Sequence, residues 1–151
     1  MTLRITLVGL LLMTPVVVAT VAAQPRCVPT ASDMEGPFYK PHAPVRDTTG
    51  NGLVVSGVVR AADTCDPIAG ARVEWWQANP HGQYDDAHRG AQVTGATGAY
   101  RFDTDFPPPY SGRPSHIHVK TEAQGYRKLT TQLYPKGGQS AVAFDLVLVK
   151  E

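Results

Sequence analysis

The chain has 151 residues, 42% of them hydrophobic and 18% charged, with 14 Lys and Arg against 13 Asp and Glu for a net charge of +1. That balance excludes electrostatic capture by nucleic acid or by an anionic membrane surface, and the apolar share excludes a wholly disordered chain. With 14 Gly and 13 Pro, turns are frequent, as an all-β domain requires.

Arg4 stands ahead of an apolar run from Ile5 to Ala23 that ends in the small residues Val21, Ala22 and Ala23. Residues 1–23 read as a secretory signal peptide cleaved after Ala23, which puts the mature protein outside the cytoplasm, secreted or periplasmic, with no membrane attachment after cleavage. The alternative is an uncleaved N-terminal anchor, since the run reaches the ~20 residues that span a bilayer. Cleavage leaves residues 24–151, enough for one domain around one core. In an oxidising compartment the two cysteines, Cys27 and Cys65, are expected to pair and to tie the N-terminal arm to the turn at Asp63 to Pro67. In a reducing one they would remain two thiols. Without a CxxC pair they do not form a zinc site.

Residues 24–51 are rich in Pro and polar side chains and read as an arm lying over the domain. Short β-type runs follow at Leu53 to Arg60, Ala71 to Gln77, Tyr100 to Thr104, His116 to Thr121, Leu129 to Tyr134 and Val142 to Val149. Gly95, Gly98, Pro107 to Pro109, Gly125 and Gly137-Gly138 punctuate them. In the second run Ala71, Val73 and Trp75 alternate with Arg72, Glu74 and Trp76, and both tryptophans read as core and sheet residues. No segment keeps a helical period over three turns. The expected architecture is a single all-β sandwich domain.

His116-Ile117-His118 is the sharpest local feature. Alternate residues of a strand share a face, so both imidazoles can reach one metal ion. Taken alone, the pair reads equally as two polar residues facing solvent. Tyr110 follows the stiff Pro107-Pro108-Pro109 segment, and Tyr84 follows the turn Asn79-Pro80-His81-Gly82-Gln83. Spacing alone does not select these two from the six tyrosines.

The ordered set Glu35-Gly36-Pro37-Phe38-Tyr39, Pro67 through Asn79 (PIAGARVEWWQAN), Gly82-Gln83-Tyr84, Arg89-Gly90, Pro109-Tyr110, Arg113-Pro114-Ser115-His116-Ile117-His118-Val119 and Thr131-Gln132-Leu133-Tyr134 resembles the intradiol ring-cleavage dioxygenases. Cys27 and Cys65, placed ahead of two of these segments, resemble the family's secreted branch. The resemblance implies a non-haem Fe(III) held by Tyr84, Tyr110, His116 and His118. It further implies cleavage of catechol-type rings between the two hydroxyls, with both atoms of O2 incorporated, to give cis,cis-muconates. Tyr110 then takes the place of the ligand that leaves the metal and accepts a substrate proton, and Arg113 that of the guanidinium that steadies the ring. Gln132 takes a supporting position behind them, and Met34 and Pro37 fall on the pocket wall. The partners so implied are a catechol and O2. Larger members of the family carry a helical N-terminal region used for dimerisation, to which nothing here corresponds. Monomer and homodimer therefore both stand.

Outside the resemblance, Arg113 reads as a surface arginine, Gln132 as a polar strand residue and Glu35-Gly36-Pro37 as a structural turn. His42, His81 and His88 have no role in the implied chemistry and read as solvated loop histidines. Two rival functions are an exported β-sandwich that binds iron or an aromatic ligand without turnover, and a purely structural sandwich domain of the transthyretin-like type. The second leaves Tyr84, Tyr110, His116 and His118 without a shared purpose.

Overall fold

A computed structural model describes residues 27–151; the expected signal peptide lies outside them. Among the described residues nine strands run in the order β1 (Thr48–Thr49), β2 (Gly52–Ala61), β3 (Arg72–Ala78), β4 (Tyr84–Val93), β5 (Ala99–Asp105), β6 (Ile117–Glu122), β7 (Leu129–Leu133), β8 (Ala141–Ala143) and β9 (Leu146–Leu148). They form two packed sheets, one of five strands ordered β1-β5-β2-β8 with β9 also on β2, the other of four ordered β4-β3-β6-β7. The expected β-sandwich is thus the observed one.

The core lies between the sheets. Val73 and Trp75 of β3 and Ile117 and Val119 of β6 meet Leu53, Val55 and Val59 of β2 and Phe102 of β5, all fully buried. Trp75 stacks on Phe102 with ring centroids 4.0 Å apart, joining the two layers. Its indole N–H cannot go unpartnered there. It donates to Thr49 Oγ1 at 2.9 Å, Thr49 to Thr104 Oγ1 at 2.9 Å, and Thr104 to Gln77 Oε1 at 3.1 Å.

Three strand expectations differ from the structure, the first being β1, which forms inside the expected arm and pairs in parallel with β5. The whole of β4 went unexpected, because its sequence YDDAHRGAQV has neither alternation nor an apolar run. Its backbone nevertheless pairs with β3 along most of its length, and polar side chains are tolerated at the sheet edge. The single run expected at Val142 to Val149 divides into β8 and β9. The chain turns at Phe144-Asp145, where Phe144 N donates to Ser56 O at 2.8 Å and Val58 N donates to Asp145 Oδ1 at 2.9 Å.

The middle of the arm, from Asp33 to Tyr39, lies over the outer face of the four-stranded sheet, while Thr30 bonds to β9 and Thr48–Thr49 form β1 of the other sheet. Cys27 is bonded to Cys65, with Cα atoms 5.2 Å apart, which secures the arm's start to the turn after β2. Further on, Asp33 N donates to Thr130 O at 2.9 Å. Lys120 pairs with Glu35 at 2.7 Å and sits 4.0 Å over the Tyr39 ring, and Tyr39 packs on Trp76 at 5.0 Å. A sheet face that would otherwise be solvated therefore becomes a second buried layer, and Trp76 and His118 are only 4% and 2% exposed.

His88 is not a solvated loop residue. It sits on β4, with Nδ1 2.7 Å from Asp85 Oδ1 and Nε2 2.9 Å from Asp105 Oδ2, so it bridges the two sheets. Burial alone would lower its pKa, but the hydrogen bonds and charges of Asp105 and Asp85 outweigh burial and raise it above 6.5. The charged imidazole then contributes stability in full below the unfolded-state value near 6.5, and loses it as pH rises through the folded-state value. Comparing urea denaturation of the wild type and His88→Gln isolates this titration from the others. We expect the wild-type advantage to be larger at pH 5.5 than at pH 8.5 by about 1–2 kcal/mol, the margin of a charge-assisted over a neutral hydrogen bond. A pH-independent difference would contradict the bridge.

Candidate metal centre

Four short pieces of local structure bring the expected residues together. After β3 the chain reverses through Asn79 to Gln83, where Asn79 Oδ1 accepts from the amides of His81 (2.9 Å) and Gln83 (3.0 Å). That Asx-type turn places Tyr84 opposite Ala78, as the first residue of β4 rather than in a loop. Tyr110 and Arg113 face each other across a two-residue reversal, with Tyr110 N donating to Arg113 O at 3.1 Å and Arg113 N to Tyr110 O at 2.9 Å. Both central residues are left-handed, Ser111 at φ 48° and Gly112 at φ 77°, as such tight turns require. His116 lies one residue ahead of β6 and His118 within it, yet their rings still fall together with centroids 4.9 Å apart. Gly36 of the arm closes the group from above the sheet.

Tyr84 Oη lies 3.2 Å from His116 Nε2 and 3.2 Å from His118 Nε2. The Tyr110 ring meets the Tyr84 ring edge-on at 5.2 Å, and Phe38 stacks on Tyr84 at 4.3 Å. Tyr84, Tyr110, His116, His118 and Arg113 line one cavity of about 350 Å³, whose apolar wall is made by Met34, Pro37 and Phe38. Every residue the resemblance assigned to the ligand set and pocket wall is therefore at this cavity. Gln132 stands behind it, accepting from Arg113 Nη2 at 2.7 Å and donating to Met34 O at 2.6 Å. Glu35-Gly36-Pro37 serves as both turn and wall.

Proton accounting shows what this cluster can hold. His116 Nδ1 lies 2.7 Å from Pro114 O, which can only accept, so that nitrogen carries the hydrogen and Nε2 presents a lone pair. Burial first, and the neighbouring His116 second, push the His118 pKa down to about 4, so this ring is neutral at neutral pH. Burial, then the nearby Tyr110, push the Tyr84 hydroxyl up to about 12, so it does not ionise unaided. Tyr84 Oη, His116 Nε2 and His118 Nε2 thus meet at one point. A highly charged cation there would accept all three and displace the phenol proton. Among the described residues no three His, Cys, Asp or Glu side chains form a metal-binding group. Tyrosine completes this set, and phenolate with neutral imidazole suits iron.

Residues 25–149 match a family described as dioxygenase. The chain belongs to the intradiol ring-cleavage dioxygenases. It is similar to chlorocatechol 1,2-dioxygenase of Pseudomonas sp. (strain P51), at 32% identity over 76% of this chain and 62% of that protein. It is also similar to catechol 1,2-dioxygenase of Candida albicans, at 31% identity over 70% of this chain and 46% of that protein. The chain spans about half to three-fifths of the length of these curated relatives. Among solved structures it resembles the dioxygenase domain of a dioxygenase carbohydrate-binding protein fusion from Streptomyces sp. SirexAA-E, with 36% identity and a TM-score of 0.74 over 82% of this chain and 99% of that one. Chlorocatechol 1,2-dioxygenase from Pseudomonas putida gives 25% identity and a TM-score of 0.66 over 76% and 70%.

Three contributors escaped the sequence reading. Trp76 stacks on His118 with ring centroids 4.9 Å apart and planes at 8°. In the register, Trp76 pairs with His118 and His118 with Gln132, so strand alternation would have put all three on one face. Tyr134 accepts from Arg113 Nη2 at 2.9 Å and donates to Asp33 Oδ2 at 2.8 Å. Its period-two spacing from Gln132 was the available signal; nothing in the sequence marks Asp33.

Gly36 gives a direct test of the geometry. It has φ +73°, and a Cβ there would lie 3.1 Å from His118 Cε1, whereas Gly70, also at φ +73°, has nothing within 4 Å. Both Gly36→Ala and Gly70→Ala should lose about 1–2 kcal/mol to left-handed strain. Only Gly36→Ala should also weaken iron binding, measured by competition with a chelator, because the His118 ring must move. Equal iron affinity in the two variants would contradict the placement of His118.

Proposed function

We propose that this protein is an exported, non-haem Fe(III) intradiol dioxygenase that opens catechol-type rings between their two hydroxyls with O2, giving cis,cis-muconates. The observation that carries the reading is the meeting of Tyr84 Oη with His116 Nε2 and His118 Nε2 at 3.2 Å, on the cavity that Tyr110 and Arg113 also line. Tyr84, Tyr110, His116 and His118 would hold the iron. When bound, the iron supplies Lewis acidity toward the two catechol oxygens and a path for the substrate's electrons to O2. The Cys27–Cys65 bond supports the exported setting, because such bonds persist in oxidising compartments.

The chain's own residues divide the remaining work. Tyr84 sits beneath Phe38 and between the two histidines, and stays in place. Tyr110 is carried on the tight Ser111-Gly112 turn at the cavity rim, where its Oη can take a proton from a catechol hydroxyl. Pro114 O fixes the His116 tautomer, and Gly36 and Trp76 fix the His118 ring. Arg113 is held by Gln132 and Tyr134 with its guanidinium at the cavity. A planar cation so fixed steadies negative charge that grows on the ring as it reacts. Met34, Pro37 and Phe38 cover the ring's apolar face and exclude water.

The test is iron content and muconate absorbance for two variants. Tyr84→Phe should lose most of its iron. Tyr110→Phe should keep much of it, yet turn catechol over about 10²–10⁴-fold more slowly, the usual worth of a positioned proton acceptor. Equal losses of iron and rate in both would contradict the division of labour. Ring opening at an undiminished rate in both would contradict the proposed site.

A further inference from the structure

We infer that the cavity selects catechols whose ring substituents are uncharged, and that Asp33 enforces the selection. The inference rests on the dioxygenase reading for the diol itself, and on the cavity's own chemistry for the substituent.

Among the described residues, Arg113 is the only permanently charged side chain lining the cavity. A substrate carboxylate would have to find it, and the hydrogens of its Nη2 are already engaged. Its Nη2 donates to Gln132 Oε1 at 2.7 Å and to Tyr134 Oη at 2.9 Å. Tyr134 Oη donates to Asp33 Oδ2 at 2.8 Å and also lies 3.0 Å from Gln132 Oε1, so one hydroxyl separates the guanidinium from a carboxylate of the arm. The Met34 amide donates to Asp33 Oδ1 at 2.6 Å. That bond first, and the Tyr134 hydroxyl second, hold the Asp33 carboxyl below the usual carboxylate range, and the Arg113 charge adds to them. An ionised acid thus stands behind the cavity's cation and offsets its charge.

Apart from the Ser111 hydroxyl and the side chains proposed to hold the metal, the rest of the wall is apolar. Met34, 61% exposed at the mouth, and Phe38, 37% exposed, present a thioether and a ring edge, and Pro37 has no amide hydrogen. An anionic substituent would lose hydration against this surface and meet a like charge near Arg113. A methyl, larger alkyl or halogen substituent would instead keep its contacts with Met34 and Phe38. Asp33 is a positioning residue in this scheme: it touches neither diol nor ring, and acts through Tyr134 and through its field.

The experiment is calorimetric binding to the iron-loaded full chain without O2, followed by turnover in air. It uses two probes of similar size, 4-methylcatechol and 3,4-dihydroxybenzoate. The wild type should bind 4-methylcatechol at least about tenfold more tightly, a gap that narrows as salt is added. Asp33→Asn should shrink the gap to about two- to threefold by improving the carboxylate probe, and Asp33→Glu should restore the preference. Equal or tighter wild-type binding of 3,4-dihydroxybenzoate would overturn the inference. So would an Asp33→Asn variant that weakens both probes alike, since Asp33 would then be a tether only. Selective binding without ring opening of either probe would leave the selectivity standing and remove the dioxygenase reading beneath it. Binding of neither would remove both.

Discussion

The site depends on how one imidazole is held. His118 stands on the outer face of a sheet, where a side chain normally meets water, and it is 2% exposed. Trp76, its partner across β3 and β6, lies flat along its ring at 4.9 Å, and Gly36 of the arm comes so close that no Cβ fits without movement. That enclosure needs the arm pressed on the sheet. The Lys120–Glu35 pair, the Tyr39–Trp76 packing and the Gln132 to Met34 hydrogen bond supply the pressing. The disulfide at the arm's start shortens the chain that must be ordered, worth roughly 3–4 kcal/mol for a loop of this length in the chain-entropy account.

Burial then sets the electrostatics. Removing water from His118 and Tyr84 keeps the first neutral and the second protonated, so the cluster alone holds donors without charge. Such a site is poised for a strongly charged hard cation, which restores by coordination what burial took from the phenol. Arg113 adds a permanent charge at the rim, but only through a scaffold that reaches back to Asp33 on the arm. The proposed iron ligation, ring placement and substituent choice thus all depend on the same arm-on-sheet packing.

Much of this was legible in the sequence, and what was not has a physical reason. The β-sandwich could be read from apolar runs between turns, and the strand of Trp75 from its alternation. That His116 and His118 share a face could be read from strand period, even though His116 precedes the strand; that they form a site could not. Tyr84 and Tyr110 could not be chosen from six tyrosines by spacing, because turn geometry around Asn79 and Ser111-Gly112 places them. Only the ordered resemblance selected them. Strand β4 and His88 were hidden because an edge strand bridging charges across two sheets carries no apolar pattern. Asp33 was hidden because its partner Tyr134 is 101 positions away in sequence. Pairings of that separation become visible only once the sheets are assembled.

Diffraction from crystals of the purified protein, recorded on both sides of the iron absorption edge, tests the central claim most directly. One strong anomalous peak is expected at roughly 2 Å from Tyr84 Oη, His116 Nε2 and His118 Nε2, with Tyr110 completing the protein ligands. A protein purified from iron-replete cells with no peak between these residues, or with its iron elsewhere, would contradict it.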